Sequence, residues 1–349
     1  MINPVTIGGK KIGPDHPPYI VAELCANHNG SLERALKIIE AAKKAGAEAV
    51  KLQTYTPDTM TLDSRNPEFI LQGGIWDGHT LYELYQKAHT PWDWHEALFN
   101  KGQEIGITVF STPFDESSVD FLERFNPPAY KIASFELVDI PLISKAASKG
   151  KPMILSTGNG SESEIAAAVD ACRNVGAKDI ILLHCVSSYP APADDSNLRA
   201  IPILRERFST QIGLSDHTLG TAVSIAAVAL GACVIEKHFT LCQSDGGLDD
   251  SFSLEPTGLA ALVTGTYDAW RALGHGRLDR APSEAAMKQF RRSLYAVADI
   301  AMEEIFTIHN VRAIRPGNGL SPDQYTSVLG RRARCAIARG TPLSREMIL

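Results

Sequence analysis

His217, in Gly213-Leu-Ser-Asp-His217-Thr-Leu-Gly220, and His238, in Val234-Ile-Glu-Lys-His238-Phe-Thr240, each close an apolar, strand-like run, and one helix-length segment separates them. Two imidazoles at the ends of successive parallel strands are expected to share a metal ion. An ion with so few protein ligands keeps positions open for a substrate oxygen, which is a catalytic rather than a structural arrangement. The competing interpretation is two unrelated strand-end histidines, each bonded to a carbonyl. Other polar residues interrupt the apolar runs at or near their C-terminal ends: Glu23, Lys51, Gln53, Thr112, Lys131, Ser134, Glu136, Ser156, Ser187, Asp216 and Glu236. One polar strand end can simply satisfy a loop backbone, but a ring of them is hard to explain by folding alone. Lys51 and Lys131, with the hydroxyls of Thr112, Ser134, Ser156 and Ser187, suit a phosphate or a carboxylate. Each charge contact at ~4 Å is worth on the order of 4 kcal/mol at an effective dielectric of about 20, before desolvation. The competing use of either lysine is an ion pair with Glu23 or Glu136.

Eight apolar runs must position these residues: Tyr19 to Leu24, Ala49 to Gln53, Ile107 to Thr112, Ala129 to Ser134, Pro152 to Thr157, Ile180 to Cys185, Thr210 to Ser215 and Cys233 to His238. Amphipathic stretches alternate with them. The clearest runs from Ser31 to Gly46, with a capping serine, helical apolar spacing and a terminal glycine. Near-continuous apolar strands joined by such helices imply parallel pairing buried on both faces, and eight of them imply a TIM (β/α)8 barrel. A doubly wound sheet is the alternative, but no Gly-x-Gly-x-x-Gly turn supports it.

Residues 54–101 are too long for an ordinary connection and are expected to form a flap over the barrel mouth. Trp92 and Trp94, after the helix-start pattern Thr90-Pro-Trp-Asp93, and Trp76 in a glycine-rich loop are read as packing anchors of that flap, with Trp76 also placed to meet a ligand. Ser161-Glu-Ser-Glu164 is a capping box without chemistry. After residue 280 the texture changes to short β-like pieces, Ser293 to Val297 and Arg334 to Ala338, with turns at Arg315-Pro-Gly-Asn-Gly319 and Arg339-Gly-Thr-Pro342. The expected division is a barrel over 1–280, a linker over 281–289 and a small domain over 290–349.

The chain has 349 residues, 44% of them hydrophobic, and a net charge of −6, which offers no global attraction for nucleic acid or an anionic membrane. An anionic substrate must therefore be held by local cations. Cys25, Cys172, Cys185, Cys233, Cys242 and Cys335 show no paired metal spacing, and most are expected to pack as small hydrophobes in a reducing cytoplasm. There is no signal core and no apolar stretch long enough for a bilayer.

Longer motifs carry a resemblance. Glu23-Leu-Cys-Ala-Asn27-His28-Asn29-Gly30, Val50-Lys-Leu-Gln-Thr54, Tyr130-Lys-Ile-Ala-Ser134, Ile154-Leu-Ser-Thr-Gly158, Leu183-His-Cys-Val-Ser-Ser-Tyr-Pro190, Gly213 to His217 and Glu236-Lys-His-Phe-Thr240 resemble, in matching order, the sialic acid synthase family. That family condenses phosphoenolpyruvate with an amino-sugar aldehyde. The final stretch resembles its antifreeze-like (SAF) domain. Within the family, Tyr19 to Leu24, Gly74 to Gly78, Thr80 to Tyr85, Ala88 to His95 and Phe290 to Tyr295 are similar to the pseudaminic acid branch. Ser187 stands where sialic acid synthases carry asparagine, which puts N-acetylmannosamine in doubt as the acceptor. The resemblance implies the acceptor 2,4-diacetamido-2,4,6-trideoxy-altropyranose, whose 6-methyl group an aromatic flap could cover.

By the same resemblance, His217 and His238 hold a divalent ion, manganese first with magnesium or cobalt as alternatives, that acts as a Lewis acid on the sugar aldehyde. Lys51, Gln53, Thr112, Lys131, Ser134, Ser156 and Ser187 fix phosphoenolpyruvate. Glu23 contacts the sugar and manages its protons, Glu236 orients a water or a ligand histidine, and Asp216 does either or caps the following helix. Asn27 and Tyr189 bind sugar or support the loop. The resemblance further implies a domain-swapped homodimer in which Arg315 reaches the neighbour's sugar site. The alternatives are a relative acting on N-acetylmannosamine or the legionaminic acid precursor, an aldolase using Lys51 or Lys131 as a Schiff base, and a carbohydrate- or ice-binding protein with an inert barrel.

Overall fold

Along each barrel strand, side chains of one phase point into the barrel and those of the other point out toward the helices, so a period of two fixes which residues can meet. The computed structural model describes residues 2–73, 77–278 and 281–349. They form two compact units, Met1–Gly274 and His275–Leu349. In the first, a hairpin of β1 (Val5–Ile7) and β2 (Lys10–Ile12) precedes eight strands: β3 (Tyr19–Glu23), β4 (Ala49–Thr54), β5 (Thr108–Pro113), β6 (Tyr130–Ile132), β7 (Met153–Ser156), β8 (Ile180–Cys185), β9 (Gln211–Asp216) and β10 (Val234–His238). They pair in parallel in sequence order, and β10 closes the ring onto β3. The barrel expected from the eight apolar runs is therefore present, each strand within a few residues of its run.

Two hydrophobic clusters report the two phases. Ile20, Ala22, Val50, Leu52, Ile132, Leu155, Leu182, Ile212 and Ile235 pack outward against the helices. Tyr19, Val21, Ala49, Phe110, Ile154, Ile181 and Val234 fill the lower barrel interior together with Val5, Ile7 and Ile12 of the hairpin. Continuing the inward phase up each strand leads from this apolar floor to Glu23, Lys51, Gln53, Thr112, Lys131, Ser156, Ser215, Glu236 and His238. The barrel is packed below and chemical above.

The helix expected between Ser31 and Gly46 spans Leu32–Ala45; Ser31 accepts from the Arg34 amide, and Gly46 ends it at φ 97°, a left-handed position that glycine occupies without steric cost. Ser161 and Glu164 form the capping box that opens the helix Glu162–Asn174. The long 54–101 segment contributes the helices Pro57–Met60, Leu81–Ala88 and the start of His95–Ile105. Trp92 stacks on Phe121 at 4.3 Å and donates its indole N–H to the Tyr55 carbonyl, while Trp94 meets His28 edge-on. Both are packing anchors. Trp76 lies outside the described residues.

The second unit pairs β11 (Ser293–Ala296) with β12 (Val311–Ile314) in antiparallel fashion. Its own core gathers Leu294, Ile300, Phe306, Val311, Val328, Ile337 and Leu343. The strand expected over Arg334 to Ala338 is not formed; the stretch is held by an isolated bridge between Ile337 and Ile300 and by the Arg334 amide donating to the Met347 carbonyl. Its alternation is too short to sustain a ladder beside a tight turn at Gly340. Among the described residues, no helix is long and apolar enough to cross a membrane.

Candidate active site

Four charged side chains meet inside the barrel, one layer above the apolar floor. Lys51 Nζ lies 2.8 Å from Glu23 Oε2 and 3.5 Å from Glu236 Oε1, and Lys131 Nζ lies 3.3 Å from the same Glu236 oxygen. Ser215 donates to that oxygen at 3.2 Å, Gln53 donates to Glu23 Oε1 at 3.0 Å, and Lys51 also donates to Thr112 at 3.2 Å. All four charges are buried. Both lysines are thus committed to Glu23 and Glu236; the pairing considered with Glu136 is not formed. Glu136 instead keeps a buried Oε2 without a partner, and burial pushes its carboxyl up to about 7.

The directions of the shifts follow from how many opposite charges each group faces. Burial works against Glu236, yet Lys131 and Lys51 together hold it below the usual carboxylate range. Burial raises Glu23, with Lys51 opposing. Burial also works against Lys51, but two carboxylates keep it above the ordinary lysine value. Lys131 has one carboxylate and a repelling Lys51, so burial leaves it lowered. Lys51 is therefore held protonated and is a poor Schiff-base amine.

Beside Lys131, the strand ends of β6, β7 and β8 form a cradle. The Gly158 amide donates to Ser134 Oγ at 3.2 Å, and the buried hydroxyls of Ser156 and Ser187 have no hydrogen-bond partner. A β-carbon on Gly158 would stand 2.3 Å from Ser187 Oγ, 2.7 Å from Ser134 Oγ and 3.1 Å from Cys185 Sγ. Hydroxyls without partners around a backbone that admits no side chain are what a small oxyanion requires. Gly158→Ala should push the Ser187 and Ser134 hydroxyls aside and raise KM for an anionic substrate about tenfold with little change in kcat. An unchanged KM in steady-state kinetics would place the anion elsewhere.

The two histidines lie at the top of β9 and β10 with ring centroids 5.4 Å apart. Tyr189 covers them, 4.2 Å from the His217 ring and 5.8 Å from His238, and Phe252 lies 5.1 Å from His238. His217 Nδ1 donates to the Val186 carbonyl at 2.8 Å, which fixes its tautomer and leaves Nε2 with a free lone pair. His238 Nδ1 is buried without a hydrogen-bond partner, and Asp249 Oδ2 stands 3.7 Å from it. Ligand atoms of Cys25, His238 and Asp249 lie within 4.8 Å of one another, a group that does not include His217. This donor set fits a divalent ion.

Arg34 anchors the loop that carries Asp249. It donates to the Asn27 carbonyl at 2.7 Å and to Thr240 at 3.1 Å, and it pairs with Asp245 and Asp250. Asn27 spends its amide hydrogens on the Phe239 carbonyl and the Ser253 hydroxyl, joining the β3 and β10 loops. A cavity of about 570 Å³ opens above, walled by Cys25, Gln53, Tyr55, Tyr189, Asp249 and Phe252 and closed on one side by Leu71, Leu84, Tyr85 and Ala88 of the long insertion. Its size and mostly apolar wall suit a sugar-sized molecule.

Asp216 is elsewhere. It belongs to the outward phase of β9, where its oxygens accept from the Thr218 amide and hydroxyl, from Ser224 and from Lys237 Nζ at 2.9 Å. The helix cap considered for it is not formed, since the helix Ala222–Ala229 starts at Thr221 without a side-chain cap, and Asp216 instead holds the turn after His217 through the Thr218 amide. Arg315 is exposed just beyond β12 in the second unit. Sequence reasoning missed Asp249, Cys25 as a site residue, Ser215 and Gly158. For Ser215 the signal was present, because it shares the inward phase with Gly213 and His217.

Among known proteins, the NeuB family pattern matches residues 38–278 and the SAF domain pattern residues 291–349. A pseudaminic acid synthase of Campylobacter jejuni subsp. jejuni is 46% identical over 332 residues, covering 95% of this chain and 97% of its own. One from Helicobacter pylori is 45% identical, covering 95% and 98%. The crystal structure of an N-acetylneuraminic acid synthetase from Leptospira borgpetersenii in complex with citrate superposes with a TM-score of 0.74 at 37% identity, covering 82% of this chain and 95% of that one.

Proposed function

Since this chain belongs to the NeuB family and ends in an SAF domain, we propose that it condenses phosphoenolpyruvate with 2,4-diacetamido-2,4,6-trideoxy-β-L-altropyranose to form pseudaminic acid and phosphate. The observation that carries this is the stacking of functions in one barrel mouth: buried cations and an oxyanion cradle below, paired histidines above, and a sugar-sized cavity over both. The similarity to pseudaminic acid synthases over nearly the whole chain supports the choice of acceptor.

In this reading Lys131, Lys51, Thr112, Ser134, Ser156 and Ser187 hold the phosphate and carboxylate of phosphoenolpyruvate, with Gln53 at the rim. They aim its methylene carbon at the open-chain aldehyde, and positioning of this kind can supply about 7 kcal/mol of a barrier. His217 and His238 would hold a divalent ion, manganese in this proposal with magnesium and cobalt as alternatives, which would supply Lewis acidity toward the aldehyde. The methylene carbon bonds to the aldehyde carbon, the aldehyde oxygen gains a proton, and water adds at the former enol carbon. The tetrahedral centre then collapses by breaking its carbon–oxygen bond, and phosphate leaves with the bridging oxygen. Glu23, whose pKa burial raises, is the group suited to move the proton. Glu236 holds both lysines and, through its free Oε2, the water. Asp216, outside the barrel, holds the turn after His217 through the Thr218 amide, and Asn27 positions the β3 loop beneath the sugar that Tyr189 covers.

A panel of acceptors tests the reading: kcat/KM for the 6-deoxy altro sugar should exceed that for N-acetylmannosamine or the legionaminic acid precursor by about a hundredfold, the scale a shaped pocket achieves. Equal or greater activity with either competitor would transfer the assignment to an N-acetylneuraminate or legionaminic acid synthase.

The second unit belongs to the proposal as well. Arg315, with a planar fork of donors suited to an amide carbonyl, is assigned to the sugar site of a partner subunit in a domain-swapped homodimer. Mixing Arg315→Ala with His217→Ala chains should restore activity by reuniting one intact site per heterodimer; no recovery in verified heterodimers would refute the swap. The enzyme is placed in the cytoplasm, in keeping with its free cysteines.

A further inference from the structure

We propose that Cys25 and Asp249 complete the coordination of the ion held by His217 and His238, making a mixed sulfur, nitrogen and oxygen site that selects thiophilic divalent ions over magnesium. This rests on the metal-dependent reading above and sharpens it. Three sequence-distant elements converge: the turn after β3 brings Cys25, the end of β10 brings His238, and the loop after β10 brings Asp249. Two donors bonded to one ion can be no further apart than the sum of their bond lengths, roughly 4.4 Å for sulfur and nitrogen on zinc. The ligand atoms of these three residues already lie within 4.8 Å of one another, so small side-chain rotations suffice for them, and His217, whose ring centroid is 5.4 Å from that of His238, would turn its Nε2 toward the same point.

Independent of the cysteine, His238 is only 8% exposed, and its Nδ1 lacks a hydrogen-bond partner while facing Asp249 at 3.7 Å. A buried polar nitrogen of this kind is costly unless something binds it. Cys25 also differs from Cys172 and Cys233, which are buried in the hydrophobic clusters; it lines the cavity and holds a left-handed backbone at φ 43°, disfavoured for a residue with a β-carbon.

The charges balance. On coordination the thiol proton leaves to solvent, and a thiolate with a carboxylate neutralises a doubly charged cation. Four protein donors on a six-coordinate ion still leave two positions for substrate. A thiolate shifts preference toward cobalt and zinc and away from magnesium, which takes oxygen ligands.

The test uses full-length protein loaded with cobalt(II). A thiolate-to-cobalt charge-transfer band in the near ultraviolet should be present in the parent and absent from both Cys25→Ser and Cys25→Ala, while both variants still bind one cobalt through the histidines. Competition titration should show cobalt and zinc affinity falling about tenfold or more in Cys25→Ser, with manganese affinity changing less. Stoichiometric cobalt binding that depends on His217 and His238 but carries no charge-transfer band would overturn the four-ligand site and leave the two-histidine reading intact. Absence of stoichiometric binding in the parent would overturn both. Thermal unfolding of the metal-free variants close to that of the metal-free parent separates lost coordination from lost fold.

Discussion

His238→Ala should lower kcat by at least about three orders of magnitude while the protein stays folded. The side chain is buried at the end of β10, within ring-contact distance of His217, and its Nδ1 makes no hydrogen bond to the protein. In the proposed reading its removal would delete a ligand of the ion that activates the aldehyde, and Lewis-acid stabilisation is worth several kcal/mol, each ~1.4 kcal/mol being a tenfold change in rate. Little protein hydrogen bonding is lost with the ring, so the thermal midpoint should move only slightly. A chelator should reproduce the defect in the parent, and re-addition of manganese should reverse it there but not in the variant. Rapid turnover by the alanine variant in single-turnover kinetics would remove His238 from the metal chemistry, and full activity of the chelated parent would remove the metal from the mechanism.

Lys131→Met has a different signature, because it strikes binding and stability together. Methionine matches the stem of lysine but leaves Glu236 facing Lys51 alone at 3.5 Å. Breaking one arm of a buried pair typically costs about 3–5 kcal/mol, since the remaining charge stays desolvated. Loss of a cation beside the oxyanion cradle should also raise KM for phosphoenolpyruvate by about a hundredfold. The double variant Lys131→Met with Glu236→Gln separates the two effects. Neutralising Glu236 should return much of the lost stability, as measured by urea unfolding, without returning affinity. If the double variant regained affinity as well, the lysine would be serving the fold rather than the substrate.

Eight strands, their order and the helix after β3 were legible because burial on both faces leaves continuous apolar runs and capping residues mark the ends. The charged layer was legible for the same reason, since Lys51, Lys131, Glu23 and Glu236 interrupt runs that have no other use for a charge. Their mutual pairing was not, because it depends on register between strands that are far apart in sequence. Asp216 reads from the sequence as one more polar residue at a strand end. A strict period of two along Gly213, Ser215 and His217 places it outside the barrel, where Lys237 of the outward phase of β10 meets it. Cys25 and Asp249 were hidden for another reason. Metal-ligand spacing is legible only within short segments, whereas these donors come from loops at opposite ends of the barrel sequence and are brought together only by closure of β10 onto β3.

Mass analysis of the product from phosphoenolpyruvate labelled with heavy oxygen at the bridging position, incubated with the 6-deoxy altro acceptor and manganese, tests the central claim most directly. The expected result is unlabelled pseudaminic acid together with phosphate that carries the label. Label retained in the sugar acid, or no nine-carbon acid formed from this acceptor, would contradict it.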